Sequence, residues 1–287
     1  MVANIETYER EPHLVNKAEE QPDPRRWKAL GVLLFAAFMD LVDATIVNIT
    51  VPSIQRDLGA SYASIQWVIA GYVLAFAVVL ITGGRLGDIY GRKRLFLIGT
   101  AGFTLSSLLC GLAPSPEVLV ASRVLQGAAA ALMVPQVLSI IQVSFSPRER
   151  GAAYGMYGAV TGLASTAGPL LGGLLIQANL FGLDWRPVFL INLPIGIAAF
   201  VAALAVVRES RSPHALRLDP IGVVLVTAAL LLVLYPLVQG RELGWPSWTF
   251  AAMAASIPAF ILFALYERHK TRVDGSPLVE LGLFKQR

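Results

Sequence analysis

Residues 83–94 read GGRLGDIYGRKR and lie between two long apolar segments. The stretch holds four glycines, one acidic residue and four cations. A connection this short between two membrane-crossing helices would hold them as an antiparallel hairpin. Its cations would place that connection on the cytoplasmic side, because cytoplasmic loops carry an excess of Lys and Arg.

The composition on both sides of this stretch is that of a membrane protein. The 287 residues are 55% hydrophobic and 15% charged, whereas soluble domains usually carry about 25% charged residues. The apolar residues form blocks of about 20, the length that crosses roughly 30 Å of hydrocarbon. The sequence therefore predicts an all-α polytopic protein with eight spans, at residues 28–51, 65–84, 95–113, 118–143, 152–176, 187–207, 220–239 and 247–266.

The cations of the connections alternate along the chain. One set of connections is rich in Arg and Lys, and the other set holds only Arg56, Arg186 and Arg241. The positive-inside rule then places both termini in the cytoplasm. Residues 1–26 lack the pattern of a signal peptide, and we interpret them as a disordered cytoplasmic tail.

Several classes of function are disfavoured by what the spans contain. Cys110 is the one cysteine of the sequence, so a disulfide within the chain is impossible. The three histidines lie in tails or connections, which argues against a haem or zinc site inside the membrane. No H-E-x-x-H or G-x-S-x-G motif is found. We expect no enzyme, no metal or other cofactor, and no nucleic-acid partner.

Two carboxylates lie in the first predicted span. Asp40 is near its middle, and Asp43 is one turn further along on the same helix face. Each costs about 2.5–3.5 kcal/mol at the centre of an isolated helix, so they should meet a cation or line a water-filled cavity. Burial and mutual repulsion both favour the protonated form, which suits a proton-binding site. The alternative is a structural polar contact between helices.

The deepest cation of the spans is Arg123, in the fourth span, with Gln126 on the same helix face. Small residues follow from position 127, and they would allow close approach of another helix. Arg123 could face a cavity between helices. It could equally extend along the helix to the outer headgroups, since it lies near the outer end of the span.

The fifth span is rich in glycine. Spacings of three and four place Gly151, Gly155, Gly158 and Gly162 along one stripe, a pattern that predicts close helix packing. Pro169 removes one backbone donor and should kink the helix. A helix of this kind could also repack during a conformational cycle.

Three of these segments resemble motifs of the major facilitator superfamily. The loop signature that follows helix 2 in that family is matched by Gly84, Asp88, Gly91, Arg92 and Lys93, with Ile89 in place of the usual cation. The helix 4 motif is matched by Arg123-Gln126-Gly127, and the helix 5 motif of antiporters is matched by Gly168, Pro169, Gly172 and Gly173.

Two further segments resemble the fourteen-helix drug/proton antiporter branch. Residues 42–52, VDATIVNITVP, are similar to its helix 1 motif L-D-x-T-x-x-N-x-A-L-P. Residues 185–196, WRPVFLINLPIG, are similar to its helix 6 motif, with Pro187 where a second Trp is usual. The five motifs follow one another in the family's order over residues 42–196.

The resemblance implies a domain organisation. Residues 27–207 would form the N-terminal six-helix bundle, built from two three-helix repeats. Residues 208–219 would be a cytoplasmic linker, and residues 220–266 would be the two extra helices of the branch. Residues 267–287 would be a cytoplasmic amphipathic stretch leading to a second six-helix bundle, which this sequence does not include.

The resemblance also implies a function, that of a proton-coupled antiporter of the plasma membrane that exports hydrophobic or cationic small molecules. Its partners would be the substrate, protons, the lipid bilayer and the second bundle. Asp43, Asp40, Arg123 and Gln126 would serve transport and proton coupling, and residues 84–93 would form a gating loop. The alternative is a truncated, non-transporting paralogue that acts as a partner or scaffold.

Overall fold

The computed structural model describes residues 23–213, 215–273 and 275–278, and within them it is helical with no β-strand. Eight helical segments are long and apolar enough to cross a membrane, which confirms the predicted number of spans. The sixth span is interrupted at Ile191, and α6 and α7 form it together. The helices are α1 (Arg26–Leu58), α2 (Tyr62–Tyr90), α3 (Arg92–Gly111), α4 (Pro116–Ser144), α5 (Pro147–Ala178), α6 (Pro187–Leu190), α7 (Asn192–Val206), α8 (Pro220–Gln239) and α9 (Ser247–Val273).

Polar side chains set where several helices begin. The hydroxyls of Ser61 and Ser115 accept hydrogen bonds from backbone N–H groups in the first turns of α2 and α4. A capping box of Ser146 and Glu149 starts α5, and Asp219 caps α8. Each cap satisfies N–H groups that have no partner inside the helix.

The helices extend past the predicted spans because a helix continues through polar residues that an apolar run does not count. α1 ends seven residues beyond the predicted limit of 51, at Leu58. The stretch predicted as a loop at 83–94 is almost entirely helical, and Gly91 alone separates α2 from α3. Gly91 has a φ of 117°, a conformation that a residue with a Cβ rarely adopts.

The predicted domain boundaries fall as follows. Residues 1–22 of the predicted tail lie outside the described residues. Residues 207–219 are non-helical where they are described, in keeping with a linker. α9 continues to Val273, so the stretch predicted from 267 onward begins as part of that helix, and residues 279–287 lie outside the described part.

Small residues let α2 and α4 cross closely. A Cβ on Gly127 of α4 would overlap the backbone carbonyl of Tyr72 in α2. A Cβ on Gly83 of α2 would overlap the carbonyl of Ala131 in α4. The two backbones therefore touch at both levels, and this holds α2, which carries Asp88, against α4, which carries Arg123.

The pair α1–α5 repeats this arrangement in the other half of the bundle. A Cβ on Gly168 of α5 would overlap Thr45 of α1, and one on Gly172 would lie 2.9 Å from Ile46 Cγ1. Exchanging the first three spans with the second three converts α2–α4 into α5–α1. This correspondence fits the two related three-helix repeats that the resemblance implies.

The glycine stripe predicted to pack α5 does not do so in the described structure. A Cβ on Gly151, Gly155, Gly158 or Gly162 would meet no described atom within 4 Å. Close packing along this stripe therefore stays a prediction, because no helix of the described part meets it. The contact with α1 falls instead at Gly168 and Gly172, further along the helix.

At the N-terminal end of α2, the loop that joins α8 to α9 is attached to the first turn of the helix. Glu242 Oε1 accepts a hydrogen bond from the backbone N–H of Ala63 at 2.6 Å. The Arg241 guanidinium lies 4.6 Å from the ring centre of Tyr62. A carboxylate at a helix N-terminus is electrostatically favourable, so this contact fixes the pair α8–α9 to α2.

Near the C-terminal end of α2, Arg85 donates hydrogen bonds to backbone carbonyls that precede α8 and follow α9. The acceptors are Arg217, which precedes α8, and Ser276, Pro277 and Leu278, which follow α9. We call this arrangement the Arg85 clamp. Both ends of α2 are thus attached to the segments that carry α8 and α9.

Asp219 joins α8 to α9. Its Oδ1 accepts hydrogen bonds from the Gly222 N–H at 2.9 Å and the Tyr266 hydroxyl at 2.9 Å, and Lys270 Nζ lies 3.5 Å away. Burial of Asp219 opposes its charged form, but these three groups together lower its pKa below its usual value.

Candidate functional site

A polar cluster lies inside the bundle between two apolar layers. One layer surrounds Leu33 and Phe96, and the other surrounds Ile54 and Trp185. Six polar side chains between them are buried: Asp40, Asp43, Ser107, Arg123, Gln126 and Asn192. The apolar layers keep bulk water from these groups, so their charges interact more strongly than they would at a surface.

Asp43 is the centre of the cluster. Its Oδ2 accepts a hydrogen bond from Arg123 Nη1 at 2.5 Å, and its Oδ1 accepts one from Gln126 Nε2 at 3.0 Å and one from Asn192 Nδ2 at 2.7 Å. The Asp43 carboxylate therefore joins α1, α4 and α7. The predicted functional residues Asp43, Arg123 and Gln126 are brought together.

Arg123 is fully enclosed, with 1% of its surface exposed. Its Nε donates to the Val68 carbonyl at 3.1 Å, and its Nη1 also donates to Gln126 Oε1 at 2.6 Å. The guanidinium lies 4.2 Å from the ring centre of Tyr72, a cation–π contact. The alternative that Arg123 reaches the outer headgroups was therefore wrong, because its counter-ion lies inside the bundle.

Two members of the cluster were not among the predicted site residues. Ser107 Oγ accepts hydrogen bonds from Gln126 Nε2 at 2.7 Å and from Asn192 Nδ2 at 3.2 Å, which adds α3 to the network. Asn192 belongs to the helix 6 motif, and that motif was the signal that could have identified it. Uncharged Ser107 gives no comparable signal, because hydroxyl side chains are common within spans.

Asp40 is bound differently from Asp43. It is 4% exposed and accepts a hydrogen bond from the Tyr72 hydroxyl at 2.6 Å. The Tyr72 ring is the same ring that faces Arg123. The two carboxylates predicted to share a helix face therefore have separate partners. Tyr72 donates a hydrogen bond to Asp40, and its ring contacts Arg123, the partner of Asp43.

Each charge of the buried ion pair depends on the other. A carboxylate and a guanidinium taken out of water stabilise each other, and loss of one charge leaves the other without compensation. Protonation of Asp43 would remove the attraction that holds Arg123. The cluster spans α1, α3, α4 and α7, so a change in its charge would alter contacts between four helices.

The loop motif at residues 84–93, for which a gating role was predicted, forms an ion pair within one helix turn of Gly91. Arg92 Nη2 and Nε donate to Asp88 Oδ1 at 2.6 and 3.1 Å. Lys93 does not join this pair, and its Nζ donates to the Leu204 carbonyl at the end of α7, 2.8 Å away. Gly84 packs beside Pro135, with 3.7 Å between its added Cβ position and Pro135 Cβ.

The linker after α7 lies on the gating motif, a contact that the sequence did not predict. Glu209 accepts hydrogen bonds from the backbone N–H groups of Lys93 at 3.0 Å and Arg94 at 3.2 Å. These are first-turn N–H groups of α3, where an anion is favoured. Glu209 is the one acid in the otherwise basic segment RESRS, and that isolation was the available signal.

Metal binding has no support in the described part of the chain. No group of three or more His, Cys, Asp or Glu residues lies close enough there to hold a metal ion.

Cys110 is buried beside the polar cluster, with its Sγ 3.6 Å from Gln126 Oε1.

Comparison with known proteins identifies bacterial relatives. The chain is 49% identical to the probable actinorhodin transporter of Streptomyces coelicolor over 265 residues, covering 92% of this chain and 46% of that protein. It is 41% identical to the puromycin resistance protein pur8 of Streptomyces alboniger, covering 93% and 52%. It is 40% identical to the tetracenomycin C resistance and export protein of Streptomyces glaucescens, covering 91% and 47%. The chain thus spans about half the length of the curated relatives it matches.

Solved structures share the fold. A bacterial homologue of the human lysosomal transporter Spinster, in an inward-facing and unoccupied conformation, matches with a TM-score of 0.56 at 20% identity, over 82% of this chain and 60% of that one. A peptide transporter POT in complex with sulfate matches with a TM-score of 0.57 at 17% identity, over 86% and 53%. The family model of the Major Facilitator Superfamily matches residues 33–284. The chain is a multi-pass membrane protein and belongs to the major facilitator superfamily.

Proposed function

We propose that the chain forms the first bundle and the following helix pair of a proton-coupled antiporter that exports hydrophobic or cationic small molecules, antibiotics among them. The buried Asp43–Arg123 pair at 2.5 Å carries this proposal, because it is a charge pair that one proton can break inside the bundle. The names of relatives at 40–49% identity, which include export and resistance proteins, support the export of antibiotics.

The proposed coupling works through the buried cluster. A proton arriving from outside binds the carboxylate of Asp40 or Asp43, and the interactions that hold Arg123 in place become weaker. Release of that proton to the cytoplasm restores the ion pair. Gln126 takes part because it bonds to both members of the pair, so it follows whichever partner moves.

The gating motif is proposed to act at the inner end of the same bundle. In the family this loop contacts the second bundle and biases the transporter between inward-facing and outward-facing states. Asp88 and Arg92 hold the α2–α3 turn in one arrangement, and the linker around Glu209 lies against it. The second six-helix bundle is accordingly the partner that completes the pathway, and the lipid bilayer surrounds both.

Orientation follows from the charges of the connections. We propose the plasma membrane as the location, with both termini in the cytoplasm. Cysteines introduced at Ser61 and Leu180, in a Cys110→Ser background, should react with an impermeant maleimide added to intact cells. A cysteine at Ser212 should react only after the cells are opened. Reaction of the Ser212 position in intact cells would reverse the proposed orientation.

Export is tested with ethidium, a fluorescent hydrophobic cation. The chain is expressed in an efflux-deficient bacterium in two forms, as it stands and continued by the remaining half of the tetracenomycin C exporter. Cells energised with glucose should extrude ethidium when the continued form is present, and an uncoupler that collapses the proton gradient should stop extrusion. The Asp43→Asn version of the continued form, matched for membrane expression, should not extrude ethidium uphill.

The same experiment distinguishes the exporter from the competing hypothesis of a non-transporting protein. A non-transporting partner or scaffold would leave ethidium retention unchanged in both forms, although the protein is present in the membrane. Extrusion that survives the uncoupler would keep the exporter and refute proton coupling.

A further inference from the structure

We infer that Tyr72 is a positioning residue that links Asp40 to the Arg123–Asp43 pair, so that the charge on Asp40 controls how firmly Arg123 is held. The link deepens the proposed function, because it gives Asp40 a route to the ion pair. Its test below uses no transport, so its failure and the failure of proton coupling can be told apart.

Tyr72 makes two contacts with different chemistry. Its hydroxyl donates to Asp40 Oδ1 at 2.6 Å, and its ring lies 4.2 Å from the Arg123 guanidinium carbon. The Phe76 ring lies nearly parallel to the Tyr72 ring, with 6.4 Å between the two ring centres. The backbone of Tyr72 is fixed, since its carbonyl fits against Gly127 of α4. A shift of the hydroxyl therefore tilts the ring beneath Arg123.

The two carboxylates differ in how much each depends on a single donor. Asp43 accepts hydrogen bonds from Arg123, Gln126 and Asn192. Among the described residues, the hydrogen bond to Asp40 comes from Tyr72 alone. A change in the charge of Asp40 therefore alters its hydrogen bond with Tyr72 directly. A change in the charge of Asp43 is distributed over three hydrogen bonds.

The charged and titratable groups that face Asp40 come from four helices. Asp43 lies on its own helix, and Tyr72 and Arg123 lie on α2 and α4. Tyr157 of α5 also interacts electrostatically with Asp40. Of these, Tyr72 contacts both Asp40 and Arg123 directly.

The chemistry of the link is that of one proton. An ionised Asp40 accepts a charge-assisted hydrogen bond from the Tyr72 hydroxyl, which is stronger than a bond to a neutral acid. When a proton from water binds a carboxylate oxygen of Asp40, the bond to Tyr72 weakens and the ring is held less firmly. The cation–π contact then stabilises Arg123 less, and Arg123 is more easily released from Asp43 and Gln126.

Cys110 provides a native reporter of this release. It is the one cysteine of the sequence, it is buried, and its thiol lies against the Gln126 oxygen that also accepts from Arg123. Loosening of Arg123 should open this region and speed the reaction of the thiol. The experiment measures the rate at which N-ethylmaleimide labels the purified 287-residue chain in detergent at one fixed pH.

The design is a double-mutant cycle. Asp40→Asn mimics the neutral acid and should speed labelling about five-fold, the factor that corresponds to weakening one charged hydrogen bond. In a Tyr72→Phe background, which keeps the ring and removes the hydroxyl, Asp40→Asn should change the rate by less than about two-fold. Phe76→Leu alters the packing of the same ring without touching the hydrogen bond, and in that background the effect of Asp40→Asn should persist.

Two results would overturn the inference. An effect of Asp40→Asn that is equally large in the parent and the Tyr72→Phe backgrounds would show that Asp40 acts by another route. No effect in the parent would show that Asp40 does not act on the cluster. Each variant is first checked for a single symmetrical peak in size-exclusion chromatography. If Asp40→Asn lacks such a peak, Asp40→Ser takes its place in the same cycle, because serine is also uncharged.

Discussion

Removal of both charges from the Asp43–Arg123 pair should destabilise the bundle no more than removal of one charge. The two side chains are 0% and 2% exposed, and loss of one partner of a buried pair typically costs about 3–5 kcal/mol. Asp43→Asn keeps one acceptor oxygen for Gln126 and Asn192, so we expect about 3 kcal/mol. Arg123→Met leaves the carboxylate with only amide donors and should cost a similar amount, about 3 kcal/mol.

The double variant removes both charges from the interior. It should lose about 3 kcal/mol instead of the roughly 6 kcal/mol that independent effects would give, a coupling of about 3 kcal/mol. Thermal unfolding of the purified chain in detergent, followed by tryptophan fluorescence, measures this. A loss of about 3 kcal/mol corresponds to a decrease in Tm of roughly 6–12 °C.

A peripheral pair of the same chemistry is the control. Asp57 is bound by Arg186 at 2.5 Å, but its side chain is 37% exposed. Exposed pairs contribute about 0–1 kcal/mol, so Asp57→Asn should lower Tm by only a few degrees, about 4 °C at most. Single variants of the buried pair that unfold with the parent, or a double variant whose losses simply add, would refute the reasoning.

Three further outcomes are expected. Gly127→Val should abolish the monodisperse peak in size-exclusion chromatography because its side chain would overlap the α2 backbone, whereas Gly158→Val should elute like the parent, and the reverse order would contradict the packing. Asp88→Asn in the continued form should lower ethidium turnover more than expression, since it breaks the ion pair with Arg92, and unchanged turnover at equal expression would exclude gating. The pKa of Asp219 is lowered in the folded protein, so its contribution to stability is present above about pH 4 and is lost as pH falls through the folded pKa. The difference in Tm between the parent and Asp219→Asn should therefore shrink in acid, and a constant difference would contradict this.

The number of spans could be predicted from the sequence because apolar runs of membrane length are a strong signal. The ends of the helices could not, since backbone hydrogen bonding continues through polar residues at the membrane surface. The stretch 83–94 shows this best, because only Gly91 leaves the helical conformation. The stripe from Gly151 to Gly162 meets no described neighbour, since spacing alone does not tell which side of a helix faces another helix of the same bundle.

The candidate site was predictable where a charge stood in an apolar span. Asp40, Asp43 and Arg123 were found in this way, because an unpaired charge there is so costly that a partner must exist. Which partner each one takes depends on how four helices meet, and a single sequence does not contain that geometry. Ser107 and Tyr72 carry no charge, so nothing in the pattern set them apart from ordinary span residues.

The attachment of α2 to the helix pair also sets an order of assembly during synthesis. Glu242 follows Ala63 by 179 positions, and the Arg217 carbonyl follows Arg85 by 132. At about 5–20 residues per second, Glu242 leaves the ribosome roughly 9–36 s after Ala63. The residues of the first six spans are therefore synthesised before either end of α2 can receive these contacts. The Arg85 clamp can close only after the residues of all eight spans have been synthesised.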